Sequence, residues 1–194
     1  MSSVIISGDT SGAITVSAPA VAGTNTLTLQ AATATSSVNT LGTAVASTSG
    51  TSIDFTSLPS WIKRITVMLS GVSTSGTSNY LIQLGTGSTT YTTSGYAGSG
   101  SLVASASVTT ARSTAGLFLR VNSAGSITHG QAVITLLTGN TYSMTGTLGD
   151  SVNDQLYIGG SSIALAAALT AVRITTVNGT DTFDAGTINI LYEG

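Results

Sequence analysis

Few residues in this 194-residue chain carry reactive groups: one histidine, six aspartates, one glutamate, one lysine and four arginines, with no cysteine. The histidine, His129, lies in Ser126-Ile127-Thr128-His129-Gly130. A Ser/His/Asp relay needs an imidazole that takes a serine proton while a carboxylate orients the ring. Serines and aspartates are available, but no Gly-x-Ser-x-Gly elbow occurs. The ordinary reading of His129 is therefore a solvated side chain in a polar turn. Two carboxylate pairs, Asp150/Asp154 and Asp181/Asp184, invite comparison with glycoside hydrolysis, which needs one acid raised by an apolar setting. Both pairs stand in turn-like sequence, where aspartate more often caps its own backbone. Asp150, Asn153 and Asp154 also offer oxygens to calcium, yet EF-hand spacing is absent. Phosphate-loop and zinc motifs are missing too, so no cofactor, no metal and no catalytic residue is expected.

The remaining charges read as structural. Arg64 and Arg173 each sit in strand-like sequence, and in so uncharged a chain such residues pair with a carboxylate or stay solvated. Asp54 and Asp184 are the candidate partners. Arg112 and Arg120 complete the set. Tyr91 and Tyr96 occur in a Gly/Ser/Thr-rich stretch, residues 85–100, that suits an adaptable contact loop. The blander alternative, which we favour, has these rings shielding the end of a sandwich.

These groups must be positioned by strands. Only 6% of residues are charged while 41% are hydrophobic, and serine and threonine make up about a third of the chain. Such a composition favours pleated strands and turns over disorder. Residues 62–69 alternate two faces, with Ile65, Val67 and Leu69 on one and Arg64, Thr66 and Met68 on the other. Further strands are predicted at 52–55, 79–84, 102–107, 117–121, 131–137, 141–148, 155–158, 171–177 and 187–192. Gly139-Asn140 forms a two-residue hairpin turn, and Asn178-Gly179 is another primed-turn dipeptide, though the sequence after it is more loop-like. Residues 161–170 read equally as a short helix or a loop. The spacing predicts an all-β fold, an antiparallel jelly-roll-like β-sandwich over residues 51–194.

Residues 1–50 are poorer in large side chains and have no aromatic. Short pulses at 4–6, 14–16 and 26–29, separated by turns at 8–12 and 22–25, describe an extended N-terminal arm. A low-complexity linker, 31–50, follows. Between arm and sandwich, Leu58-Pro59-Ser60 makes a corner, with Trp61 expected to be largely buried beside it.

The scarcity of charge bears on partners as well. A sequence pI near 4.9 gives no footprint for nucleic acid. The longest apolar run, 163–169, is too short to span a bilayer. The chain start lacks the pattern of a cleaved signal, so a soluble product of the cytoplasm is expected. Monomeric β-proteins guard strand edges with lysine, proline or inward charge, devices nearly absent here. Permanent assembly is the expectation; the rival is a hydroxyl-rich secreted β-protein.

Three blocks carry a family likeness: residues 53–67, with Asp54, Phe55, Leu58, Pro59, Trp61, Lys63 and Arg64; residues 178–193, with Asn178, Gly179, Asp181, Phe183, Asp184 and Tyr192; and residues 18–29. Together they resemble small β-rich structural proteins, of decoration or fibre type, of tailed bacteriophages. The resemblance implies a non-enzymatic virion subunit, commonly a homotrimer, assembled in the host bacterial cytoplasm. Fibre proteins usually carry a long shaft before the tip, which about 50 residues cannot supply. A capsid decoration or cement protein bound to the major capsid protein is therefore the first expectation. A short tail-fibre or receptor-binding protein, contacting host glycan through Tyr91 and Tyr96, is the second, and a glycan depolymerase the third. Trp61, Lys63, Arg64, Arg173 and Asp184 are the expected structural or inter-subunit contacts.

Overall fold

The structure, a computed structural model, describes residues 3–7, 13–17, 39–119, 121 and 123–194. The chain divides into two compact units, Met1–Ser36 and Ser37–Gly194. In the first, β1 (Ser3–Ser7) and β2 (Ala13–Ser17) pair antiparallel, with Ile5 opposite Thr15. The turns predicted at 8–12 and 22–25 and the strand at 26–29 lie outside the described residues.

The second unit is entirely antiparallel β. Its strands are β3 (Asn39–Leu41), β4 (Val45–Ala46), β5 (Ser52–Phe55), β6 (Arg64–Thr74), β7 (Tyr80–Gly85), β8 (Ala97–Ala104), β9 (Ser107–Ser113), β10 (Leu117–Leu119), β11 (Thr128–Thr138), β12 (Thr141–Asp150), β13 (Gln155–Ala164), β14 (Ala171–Thr176) and β15 (Phe183–Glu193). One sheet runs β3-β15-β6-β11-β12-β13-β8-β9, with β4 also on β15. The other runs β10-β7-β14-β5. Residues 39–46, placed in the linker by sequence, instead extend the larger sheet along β15. The unit thus begins before residue 51.

Alternation builds the larger sheet. In β6, Ile65, Val67 and Leu69 are buried while Arg64 is exposed. In β12, Tyr142, Met144 and Leu148 point inward and Ser143, Thr145 and Thr147 outward. The smaller sheet buries all of β7, while its β5 leaves Asp54 exposed. Its inward residues, Ile53, Ile82, Leu84, Leu117, Val172 and Ile174, share one core cluster with Ile65, Val67, Ile134 and Tyr157 of the larger sheet. Each large apolar side chain so buried contributes roughly 1.5–3 kcal/mol.

A row of small residues decides how closely the sheets approach. Val67, Ala132, Gly146, Gly159 and Gly100 are successive register partners across five strands, on the inner face. Strand β10 crosses this row. A Cβ at Gly159 would stand 2.3 Å from the Phe118 carbonyl oxygen, one at Gly100 2.4 Å from the same atom, and one at Gly146 2.9 Å from Leu119 Cδ2. Glycine here provides backbone access.

The corner at residues 56–63 carries the chain from β5 in one sheet to β6 in the other, not from arm to sandwich. Leu58 donates its N–H to the Thr170 carbonyl at 2.9 Å, and Ile62 donates to Pro59 at 3.3 Å. Leu58 and Ile62 fill the core there. Trp61, between them, points outward and is 41% exposed, contrary to the expected burial. Its ring rests against Tyr192, centroids 6.0 Å apart. Residues 161–170 form no helix: β13 continues to Ala164, and Leu165 and Leu169 anchor the loop that follows.

Candidate functional site

The most concentrated polar cluster is built on the turn between β12 and β13. Asp150 ends β12 and is buried. Its Oδ1 accepts the Val152 and Asn153 N–H groups at 2.9 and 3.2 Å, and more distantly the Ile127 N–H at 3.4 Å. Its Oδ2 accepts from the Tyr157 hydroxyl at 2.7 Å and Asn153 Nδ2 at 2.9 Å. Burial works against the charge. Hydrogen bonds from Asn153, Tyr157, Ser126 and the Val152 N–H outweigh it and hold the carboxyl below the usual range. Tyr157 is fully buried, and that burial chiefly pushes its hydroxyl up. Asp154, the other half of the expected pair, is exposed with φ +50° and makes the turn. Both oxygens of Asp150 are thus committed to donors that close a turn, an arrangement suited to neither acid catalysis nor a cation.

His129 lies in β11 rather than in a turn, where the register with β6 shifts between Thr128 and Gly130. Such a bulge leaves a backbone N–H without its ladder partner. The Gly71 N–H donates to His129 Nδ1 at 3.1 Å. The neutral ring therefore carries its proton on Nε2, which faces Ser151 Oγ at 3.4 Å. A catalytic relay requires the reverse, with Nδ1–H donating to a carboxylate and Nε2 free to accept. The side chain serves the bulge.

Asp181 and Asp184 are also separated in role. Asp181 accepts the Ser78 N–H at 2.9 Å and Asn178 Nδ2 at 2.6 Å. Asn178 Oδ1 in turn accepts from the Thr180 and Asp181 N–H groups and from Thr176 Oγ1. The Asn178-Gly179 dipeptide accordingly ties the link between β14 and β15, on different sheets, and is no hairpin. Asp184 accepts from Ser73 Oγ.

Arg173 finds one of its expected partners. It stands opposite Asp54 across β14 and β5, and donates through Nε and Nη2 at 2.8 and 2.7 Å. These hydrogen bonds strengthen the guanidinium's hold on its proton and outweigh burial, which opposes it. The guanidinium lies 4.0 Å over the Tyr91 ring, a cation–π contact. Arg64 does not meet Asp184; it approaches Glu193, its cross-strand neighbour, at 3.5 Å. Lys63 is exposed, and its main chain links Glu193 and Leu136. Arg112 is exposed on β9, and Arg120 lies outside the described residues.

The two tyrosines of the expected contact loop are turned to the fold. Tyr96 is 2% exposed. Strand β10 begins at Leu117, opposite Ile82, so β7 loses its partner before Leu84. The Leu84 N–H donates to the Tyr96 hydroxyl at 2.8 Å, and the Leu84 carbonyl accepts from the Thr92 N–H at 2.9 Å. Tyr96 thus replaces a missing strand, and burial pushes its hydroxyl up to about 12. Tyr96→Phe is expected to cost about 1–3 kcal/mol, read by urea denaturation, because it strands a buried N–H. Tyr91 bridges to Gly85, and Arg173 occupies one face of its ring. Nothing in the sequence around Tyr96 signals the unpaired N–H at Leu84, since the two come together only through the end of β10.

Beside Arg173, a polar groove of about 410 Å³ crosses the smaller sheet, lined among others by Ser52, Gln83, Thr93 and Thr175. Among the described residues no three His, Cys, Asp or Glu side chains gather as a metal site. Fold and geometry together define an all-β, two-sheet antiparallel domain whose polar clusters hold turns and strand ends. No family model matches the chain, and neither does any curated protein or solved structure.

Proposed function

We propose that the protein is a non-enzymatic structural subunit of a tailed-phage virion, acting as a decoration or cement protein on the head. In this reading residues 51–194 form the bulk of a jelly-roll-like sandwich, three copies associate, and the N-terminal segment serves as an arm against the major capsid protein. One observation carries it. The groups with chemical potential, Asp150, His129, Asp181 and the Arg173–Asp54 pair, are spent on turns, a bulge and a sheet edge. A domain so arranged presents shape, hydroxyls and backbone to its surroundings, which suits mechanical reinforcement through many contacts. The likeness of residues 53–67 and 178–193 to phage structural proteins supports the same reading.

Attachment to host glycan through Tyr91 and Tyr96 has less to stand on, because Tyr96 is buried and one Tyr91 face is taken. Cryo-electron microscopy of the particles that contain this chain is the test. Density for the subunit at regular positions on the head is expected. Density confined to the tail would replace the decoration reading with the fibre one.

A further inference from the structure

Among the described residues the second unit ends in four sheet edges, and three are small or guarded. Strands β3 and β4 have three and two residues, β10 has three, and β5 has four with Asp54 on it. The fourth, β9, has seven residues and pairs only with β8, in unbroken register from Ala104–Ser107 to Gly98–Ser113. It contains no proline, no lysine and no bulge, and its one charge is Arg112. Residues 107–110 are all exposed. Half of its backbone N–H and C=O groups point away from β8, a template for another strand.

The side chains beside this edge say which strand. On the outer face, Leu156, Val103 and Val108 are successive register partners, and Ile158 stands in the next row toward Ser101 and Thr110. Leu156, Ile158 and Val108 are 38%, 42% and 64% exposed, an apolar strip running to the edge. We propose that β9 pairs antiparallel with β9 of a second copy of this chain, about a two-fold axis at Thr110. This register engages the full strand, Ser107 with Ser113, Val108 with Arg112, Thr109 with Ala111 and Thr110 with itself. It lays the aliphatic stem of each Arg112 over the other copy's Val108, extending the apolar strip while the guanidinium reaches water. It also keeps the two Arg112 charges apart, whereas parallel in-register pairing would stack them. The pairing joins two larger sheets into one continuous sheet. Alone this two-fold contact gives a dimer; combined with the three-fold association proposed above it gives a six-copy D3 particle, wherever the subunit sits in a virion.

Two substitutions at Thr110 test it. Thr110→Lys places two ammonium groups face to face at the axis while leaving an exposed position of the monomer. The particle mass from sedimentation is expected to halve, with an unchanged circular dichroism spectrum. Thr110→Cys puts the only thiols of the assembly opposite each other, at the 4.4–6.8 Å Cα separation a disulfide bridges. Mild oxidation is expected to give a covalent dimer, while Thr145→Cys, exposed in mid-sheet, stays uncrosslinked. A monomeric wild type overturns the proposal. So does an unchanged mass for Thr110→Lys, or a Thr110→Cys chain that crosslinks no more than Thr145→Cys.

Discussion

Replacing Gly159 with alanine is expected to destabilise the domain by about 3 kcal/mol, at or above the usual cost of overpacking a core. The new methyl would lie 2.3 Å from a backbone carbonyl, that of Phe118, and 3.3 Å from Leu119 Cδ2. A flexible side chain could rotate away; a carbonyl in β10 moves only with its strand. Because β10 also packs over Gly100 and Gly146, the shift would loosen the contact between the sheets along the whole row. Gly149→Ala is the matching control. It lies one strand away, and its Cβ would meet nothing within 4 Å. There the loss of unfolded-chain freedom alone operates, for a gain of about 0.4–1 kcal/mol. Guanidinium denaturation of both variants measures the contrast, and equal stabilities would mean that β10 does not sit on the glycine row.

Asp150→Ala is expected to cost about 3 kcal/mol, since it removes a buried acceptor, leaves the Val152 and Asn153 N–H groups without theirs, and reduces the buried Tyr157 hydroxyl to its longer contacts with Gln155 and Ser126. The same residue sets an acid dependence. Its folded pKa lies below the ordinary 3.8, so the folded state holds the charged form more tightly than the unfolded chain does. That contribution is full above about pH 4 and is lost as pH falls from there through the folded pKa. The unfolding midpoint of the wild type should therefore fall steeply below pH 4. Asp150→Asn, which retains the shape but not the titration, should start lower and show a flatter acid limb over that range. Parallel acid limbs would assign the dependence to other carboxylates.

Much of the larger sheet is legible in the chain because its strands alternate bulky and hydroxyl residues. The stretches 131–137, 141–148 and 187–192 fall within observed strands, 62–69 does so from Arg64 onward, and Gly139-Asn140 makes the expected turn. The signal fails where packing demands small side chains. Strand β8 begins at Ala97, five residues before its first bulky residue, and β13 continues through Gly159-Gly160-Ser161-Ser162. Those glycines resemble turn sequence, yet they are what lets β10 approach. Strand β9 went unread for a related reason: only Val108 in it is large and apolar. The Asp150 turn is half legible, since Val152 and Asn153 are local partners, while Tyr157 and Ile127 reach it through strand pairing. A lone tryptophan suggests a core, yet Leu58 and Ile62 already fill that corner and Trp61 stays outside it.

The position of β15 carries a consequence for how the molecule is made. Strand β6 lies between β11 and β15, and Arg64 waits for Glu193, roughly 130 residues further along the chain. Strands β3 and β4 also have β15 as their partner. While a ribosome is still delivering the intervening residues, β6 presents an open edge flanked by Ile65, Val67 and Leu69. Pairing of such long range places folding in the slow, millisecond-to-second regime of β-sandwiches. The larger sheet closes on that side only when β15 emerges, so chains interrupted before it leave that edge of β6 open.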